Sequence, residues 1–212
     1  LDAIPNLSIG GWGGWEHAIG GSMALKNAVG DRITTYCIFD RDYHTSEELS
    51  DRYDQAQERG ISLHIWLRKE IENYLLNPTV IARLIKQRTK QSPPTPADVT
   101  AFLLKACQQE KDTVFDAIAN HLAHRDKSLD TGGANKAARK LLDARWQDHK
   151  LEMVSGKALV SHLNTWTQEE FKTSVGGMAI AKAFQANEIP NEMREFLVTV
   201  EEGKVITAKT LP

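Results

Sequence analysis

The first third of the chain alternates apolar runs with helical patterns. Residues 33–39 form a β-branched and aromatic run without polar alternation towards its end, which is typical of a strand buried on both faces. A second such run follows at residues 61–67. Between them, Thr45 and Glu48 have the spacing of a capping box, and Gly60 suits a C-terminal cap. A strand, a helix and a strand with short connections predict a parallel α/β sheet.

Helical patterns dominate the rest of the chain. A short strand over residues 6–9 and a helix over residues 15–28 are predicted ahead of the two apolar runs. Further helices are predicted over residues 78–90, 97–109, 112–124 and 134–149, with Thr131-Gly132-Gly133 separating the last two. We interpret residues 77–150 as a helical insertion into an α/β core that residues 1–76 begin and residues 151–212 complete.

Composition narrows the class of protein. The 212 residues are 41% hydrophobic and 25% charged with a formal net charge of −2, so a globular chain with one good core is expected and a strongly basic nucleic-acid coat protein is not. Cys37 and Cys107 are too few for a disulfide scaffold, which favours a reducing cytoplasm. The sequence contains no apolar run of transmembrane length, so no membrane association is expected. Residues 1–5 lack the pattern of a secretory signal and do not begin with Met, so we expect the chain to start partway through a larger protein.

Acidic side chains follow both predicted strands of the parallel pair. Asp40 and Asp42 come directly after the first strand, and Glu70 and Glu72 follow the second. Ligands of open α/β sheets collect at the carboxyl ends of the strands, and clustered carboxylates repel one another unless a cation neutralises them. The pattern therefore predicts a site for a hard divalent cation. The alternative is that these acids are solvated or flank helices, with basic neighbours neutralising the second pair.

Four segments resemble one family: residues 9–12 (IGGW), 38–43 (IFDRDY), 66–76 (WLRKEIENYLL) and 155–159 (SGKAL). In this order, covering nearly the whole chain, they resemble the Toprim nuclease domain of the OLD (overcoming lysogenization defect) family. The resemblance implies a Toprim-like parallel sheet flanked by helices, with a helical insertion. It also implies a DNA endonuclease or nickase, usually fused behind a dimerising ABC-type ATPase, and a role in phage defence.

The resemblance also assigns roles to individual residues. Asp40 and Asp42 match the family's D-x-D metal ligands, and Glu72 matches the acidic ligand of its third motif, with a catalytic role; Glu70 lies beside it, where Ser or Gly is common. Lys157 matches a lysine that stabilises the transition state. The implied cofactor is Mg²⁺, with Mn²⁺ as a substitute, in a two-metal hydrolysis of phosphodiester bonds.

One element of the family pattern has no counterpart in the sequence. Toprim domains begin with a strand followed by a glutamate in an E-G-x-x-D context, and nothing ahead of Leu7 matches it. We expect this element to lie upstream of Leu1, so that residues 1–212 alone are inactive.

Two further interpretations compete with a nuclease. A non-catalytic Toprim-like module that binds DNA or dimerises, with a degenerate metal site, fits the missing glutamate. Haloacid-dehalogenase phosphatases also place D-x-D after a hydrophobic strand, but their following Thr or Val is replaced here by His44, and they do not account for residues 71–74.

DNA itself is an expected partner, and so is a second copy of the chain. Basic side chains that lie within one turn of the predicted helix over residues 134–149 are candidates for phosphate contact, the alternative being a solvated helix face. They are Lys136, Arg139 and Lys140.

Overall fold

The computed structural model describes residues 6–30 and 33–206, so the expectations about residues 1–5 lie outside the described part. In chain order, the elements are α1 (Trp15–Val29), β1 (Tyr36–Phe39), α2 (Ser46–Glu58), β2 (Ser62–Ile65), α3 (Pro78–Arg88), α4 (Pro96–Gln109), α5 (Lys111–Arg125), α6 (Thr131–Met153), α7 (Gly156–Phe171), α8 (Gly177–Ala183) and α9 (Asn191–Glu201). Short 3-10 helices lie at Gly11–Gly14, Ile71–Leu75 and Ala186–Glu188.

The chain forms two compact units. Residues 1–67 and 189–212 make up the first, which we call the sheet unit, and residues 68–188 make up the second, the helical unit. The helical unit therefore extends beyond the block predicted at residues 77–150, at both of its ends. Among the described residues, no helix is both long enough and apolar enough to cross a membrane.

The sheet unit is organised around the parallel pair of β1 and β2. Tyr36 lies opposite Ser62 and Phe39 lies opposite Ile65, which confirms the predicted parallel pairing. The connecting helix α2 begins at the predicted capping box, because the Thr45 hydroxyl accepts a hydrogen bond from the Glu48 amide and the Glu48 carboxylate accepts one from the Thr45 amide.

The core of the sheet unit packs one face of the two strands against α1 and α2. Its buried members are Trp15, Ala18, Cys37, Phe39, Leu49, Ala56, Ile61, Leu63 and Ile65. The opposite face of β2 carries His64, whose ring lies 4.8 Å from that of Phe196 on α9. Aromatic contacts of this kind add to the hydrophobic contribution of burial, so α9 is held on the sheet through Phe196.

Two features of the sheet unit differ from the sequence prediction. The strand expected at residues 6–9 has no regular secondary structure. The sheet has two strands within the described residues, in a chain that is mostly helical. An α/β arrangement is thus present, while a larger Toprim-like sheet stays a prediction.

The helical unit contains the predicted helices, with shifts at several of their ends. The helix α3 begins at Pro78 as predicted, and Asn77 caps it by accepting hydrogen bonds from the amides of Thr79 and Val80. The segment Thr131-Gly132-Gly133 does not separate two helices, because α6 begins at Thr131 and the Asp130 carboxylate accepts a hydrogen bond from the Gly133 amide at 2.7 Å. An N-cap satisfies a free amide of the first turn, so the glycines are tolerated there.

Candidate functional site

The residues singled out in the sequence fall in both units. Asp40 and Asp42 belong to the sheet unit, and Glu70, Glu72 and Lys157 belong to the helical unit.

The Asp40–Asp42 segment turns sharply at the end of β1. β1 ends at Phe39, and Asp42 has a left-handed backbone with φ 48°. Aspartate is one of the few residues other than glycine that adopt this conformation readily. The segment is also held by the short 3-10 helix that precedes α1, because the Trp12 indole nitrogen donates a hydrogen bond of 2.7 Å to the Asp40 carbonyl oxygen. The two aspartates therefore follow the carboxyl end of the strand on a fixed turn, as the sequence predicts.

The loop that follows is packed rather than loose. The His44 ring stacks on Trp12 with centroids 3.6 Å apart, and its Nδ1 lies 3.2 Å from Oε1 of Glu48. Arg41, between the two aspartates, is 8% exposed and donates a hydrogen bond to the Leu67 carbonyl oxygen. Sequence reasoning used Trp12 only as part of the IGGW segment, so its role in fixing this loop was missed.

In the helical unit, Glu70 is a buried carboxylate with a partner for each oxygen. Its Oε2 accepts hydrogen bonds from the Ser155 hydroxyl at 3.0 Å and from the Lys157 backbone nitrogen at 3.2 Å, and its Oε1 pairs with the Lys69 ammonium. Burial of the carboxyl opposes ionisation, but the hydrogen bonds and the Lys69 charge outweigh it, so the pKa of Glu70 lies below its usual value. Glu70 is therefore an ionised side chain bound to the first turn of α7.

Asn73 joins the same segment to the end of α6. Its side chain is fully buried; Oδ1 accepts a hydrogen bond from the Glu70 amide at 2.9 Å, and Nδ2 donates to the carbonyl oxygens of Leu151 and Val154 at 2.8 Å each. Buried amides are stable only when their donors and acceptors are satisfied in this way. Residues 70–73 and 151–157, which are about eighty residues apart in sequence, are thus brought together as one cluster.

Glu72 differs from Glu70 in its environment. Its Oε1 lies 3.9 Å from the Lys157 ammonium, whose side chain is mostly exposed. Its Oε2 is buried and has no hydrogen-bond partner among the described residues. A buried carboxylate oxygen without a partner is energetically costly, and a hard cation is one group that would satisfy it. Glu72 therefore has a carboxylate oxygen available for a further contact, whereas both oxygens of Glu70 are already used within the helical unit.

The candidate residues for DNA contact lie on the surface of the helical unit. Lys136, Arg139 and Lys140 are exposed on α6, at the i, i+3 and i+4 spacing that places side chains on one side of a helix. The Arg139 guanidinium lies 5.1 Å from the centroid of the Phe115 ring on α5. Arg139 therefore also contributes to the packing of this helix pair.

Comparison with known proteins gives no support from relatedness. No family model, curated protein or solved structure matches the chain.

Sequence reasoning also missed Asn73 and Gly156 as parts of the cluster. The only local signal was Asn73 three residues after Glu70, the spacing of a capping interaction.

Proposed function

We propose that the chain is part of a metal-dependent nuclease that hydrolyses phosphodiester bonds of DNA, with Mg²⁺ as the ion and Mn²⁺ as a substitute. The observation that carries the proposal is the buried Glu72 oxygen without a hydrogen-bond partner, next to the exposed Lys157 ammonium. A vacant carboxylate oxygen suits a cation, and a nearby ammonium suits the phosphate that such a cation would bind.

The resemblance assigns metal-ligand roles to Asp40, Asp42 and Glu72. When bound, Mg²⁺ supplies an activated water and neutralises phosphate charge. Lys157 contacts a non-bridging phosphate oxygen and stabilises the negative charge that grows there in the transition state. The exposed lysines of α6 hold the DNA backbone through its phosphates.

We propose a cytoplasmic nuclease linked to an ABC-type ATPase and acting as a homodimer in phage defence, as the resemblance suggests. The two cysteines are in keeping with a reducing compartment, because both are buried as free thiols. Burial raises the pKa of the Cys37 and Cys107 thiols to about 11, which leaves both mostly protonated at neutral pH.

One observation favours the second candidate, a non-catalytic module with a degenerate metal site. Glu70 uses both of its oxygens in contacts within the helical unit, so one of the four predicted acids is already neutralised without a metal ion. On this alternative, the remaining acids serve only solubility and local capping.

Cleavage of supercoiled plasmid by the full-length protein tests the choice. We expect nicking that depends on Mg²⁺ or Mn²⁺. The rate should fall at least about a hundredfold in Asp40→Asn, Glu72→Gln and Lys157→Ala, because removal of one charge-stabilising group has an effect of this size. Glu170→Gln, an exposed glutamate on α7, is the matched control and should cleave like the wild type. Binding of DNA without cleavage under any metal condition would favour the non-catalytic module.

A further inference from the structure

We propose that Glu70 is a positioning residue and not a metal ligand: its carboxylate fixes the start of α7, and this sets the Lys157 side chain beside Glu72. The inference rests on the proposed function, which it deepens by assigning different tasks to two glutamates two residues apart. The sequence alone placed both glutamates in the metal site.

The contacts of Glu70 are those of a helix-capping anion. Ser155 is the N-cap of α7 and accepts a hydrogen bond from the Ala158 amide, while its hydroxyl donates to Glu70. Glu70 also takes the amide of Lys157, in the first turn, where helix amides lack intrahelical partners. A negative charge at this end of a helix is further favoured by the helix dipole. The backbone of Lys157 is therefore fixed by Glu70.

The backbone of Glu72 is also fixed, through its neighbour Asn73 and through the packing of Gly156. Asn73, the next residue, is bound to the end of α6, and Gly156 packs directly on the peptide between Glu72 and Asn73. Lys157 follows Gly156 in the chain. Because the two backbones are held together one residue away from each functional side chain, the Lys157 ammonium is within reach of Glu72, and its Nζ lies 3.9 Å from Oε1.

The two glutamates also differ in what a cation would cost. A metal ion at Glu70 would compete with the Lys69 ammonium, the Ser155 hydroxyl and the Lys157 amide for the carboxylate oxygens. A metal ion at Glu72 would meet a buried oxygen that has no hydrogen-bond partner among the described residues. The geometry thus separates an anchoring carboxylate from a ligand carboxylate.

Metal binding without DNA tests the assignment directly. Mn²⁺ binding to the full-length protein, followed by electron paramagnetic resonance, should be about tenfold weaker or worse in Glu72→Gln, because metal ligands must carry their charge. Glu70→Gln keeps an acceptor oxygen for Ser155 and Lys157, so its affinity for Mn²⁺ should stay within about threefold of the wild type, as for loss of a charge outside the site. Equal weakening in both variants would overturn the proposal.

Positioning is tested in the metal-free protein by zero-length cross-linking. A carbodiimide should join Lys157 to Glu72 in the wild type, with the Lys204–Glu202 pair in the sheet unit as internal reference. Glu70→Ala should lower the Lys157–Glu72 yield about tenfold relative to the reference, because small misplacements cost large factors in proximity-driven reactions, and Glu70→Gln should restore much of it. An unchanged yield in a folded Glu70→Ala protein would refute positioning.

The two arms separate failure of this inference from failure of the proposed function. A wild-type protein that binds no Mn²⁺ would remove the nuclease proposal, yet the cross-linking yields would still show whether Glu70 positions Lys157. Conversely, tight Mn²⁺ binding that Glu70→Gln abolishes would support a metal site and overturn the positioning role.

Discussion

Gly156 lies so close to Asn73 that a Cβ atom at Gly156 would come within 2.5 Å of the Asn73 backbone nitrogen. The atoms in the way belong to backbone and to the Glu72 Cβ, so no flexible side-chain end can move aside. The close approach is what allows residues 70–73 to rest on the first turn of α7, and it requires a residue without a side chain.

We therefore expect Gly156→Ala to destabilise the protein by about 1–3 kcal/mol, the usual cost of overpacking. The matched control is Gly132→Ala in the first turn of α6, where the nearest atom to a new Cβ is 3.6 Å away. Alanine favours a helix more than glycine does, so the control should be neutral or gain up to about 1 kcal/mol. Urea unfolding measures both, and equal stability of the two variants would contradict the close packing.

The Arg83 guanidinium forms a bidentate ion pair with the Glu188 carboxylate, with both hydrogen bonds at 2.6 Å. The Arg83 hydrogen bonds, first among several causes, lower the pKa of Glu188 to about 2 from an ordinary 4.5. Since the pKa is lower in the folded state, the stability from this pair is complete above about pH 4.5 and is lost as the pH falls towards 2.

Replacement of Glu188 should therefore make the free energy of unfolding depend less on pH in the acid range. Glu188→Gln should be less stable than the wild type at pH 6, and the difference should shrink between pH 4.5 and pH 2. Glu170→Gln on α7 is the control, since Glu170 is exposed and should leave the curve unchanged. The midpoints of urea unfolding, measured across this pH range, test the prediction. A difference between Glu188→Gln and the wild type that does not depend on pH would show that the stabilisation is not ionic.

Local signals in the sequence were enough to place most helix ends. The capping box at Thr45 and Glu48, the Asn77 cap and Gly60, with its positive φ of 62°, all act within a few residues of the helix they bound. Short-range hydrogen bonding and backbone sterics depend on neighbouring residues alone, so a sequence pattern can reveal them. The segment Thr131-Gly132-Gly133 misled for the same reason: its glycines indicate a break, but the Asp130 cap permits them in the first turn of α6.

The capping box itself gives a prediction for the sheet unit. Thr45→Ala removes the acceptor for the Glu48 amide and should weaken the start of α2 by about 1 kcal/mol, the typical cost of losing an N-cap. Hydrogen exchange of Ser46–Glu58 should then become faster than in the wild type, with Thr45→Ser, which keeps the hydroxyl, as the control. Unchanged exchange in the alanine variant would show that packing of α2 alone sets its stability.

The candidate site was less accessible to sequence reasoning than the helix ends. The sequence placed Asp40 and Asp42 after one predicted strand and Glu70 and Glu72 after the next, while Lys157 was singled out only by resemblance. It could not show that Asn73 binds the carbonyls of Leu151 and Val154, because that contact joins residues 78 and 81 positions apart. Such contacts depend on how helices pack and leave no periodic pattern in the chain. The difference between Glu70 and Glu72 likewise lies in their partners, since residue type and spacing are alike for both.

The exposed basic residues of α6 allow a quantitative test of DNA contact. Each phosphate neutralised by a lysine contributes about 0.9 to the slope of log K against log salt, so Lys136→Gln with Lys140→Gln should reduce the slope by up to about 1.8. Arg139 is left in place because its guanidinium packs over Phe115, and its loss would disturb the helix pair.

A double variant with the same change in charge provides the control for this measurement. Lys105 and Lys182 are exposed on α4 and α8, and their replacement by Gln should leave the slope unchanged if α6 is the contact surface. Long-range charge alone would lower the affinity of both double variants alike, because exposed charges act on DNA through the same screened field. Equal slopes for the two variants would therefore show that the α6 lysines attract DNA only as part of the net charge, without specific phosphate contacts.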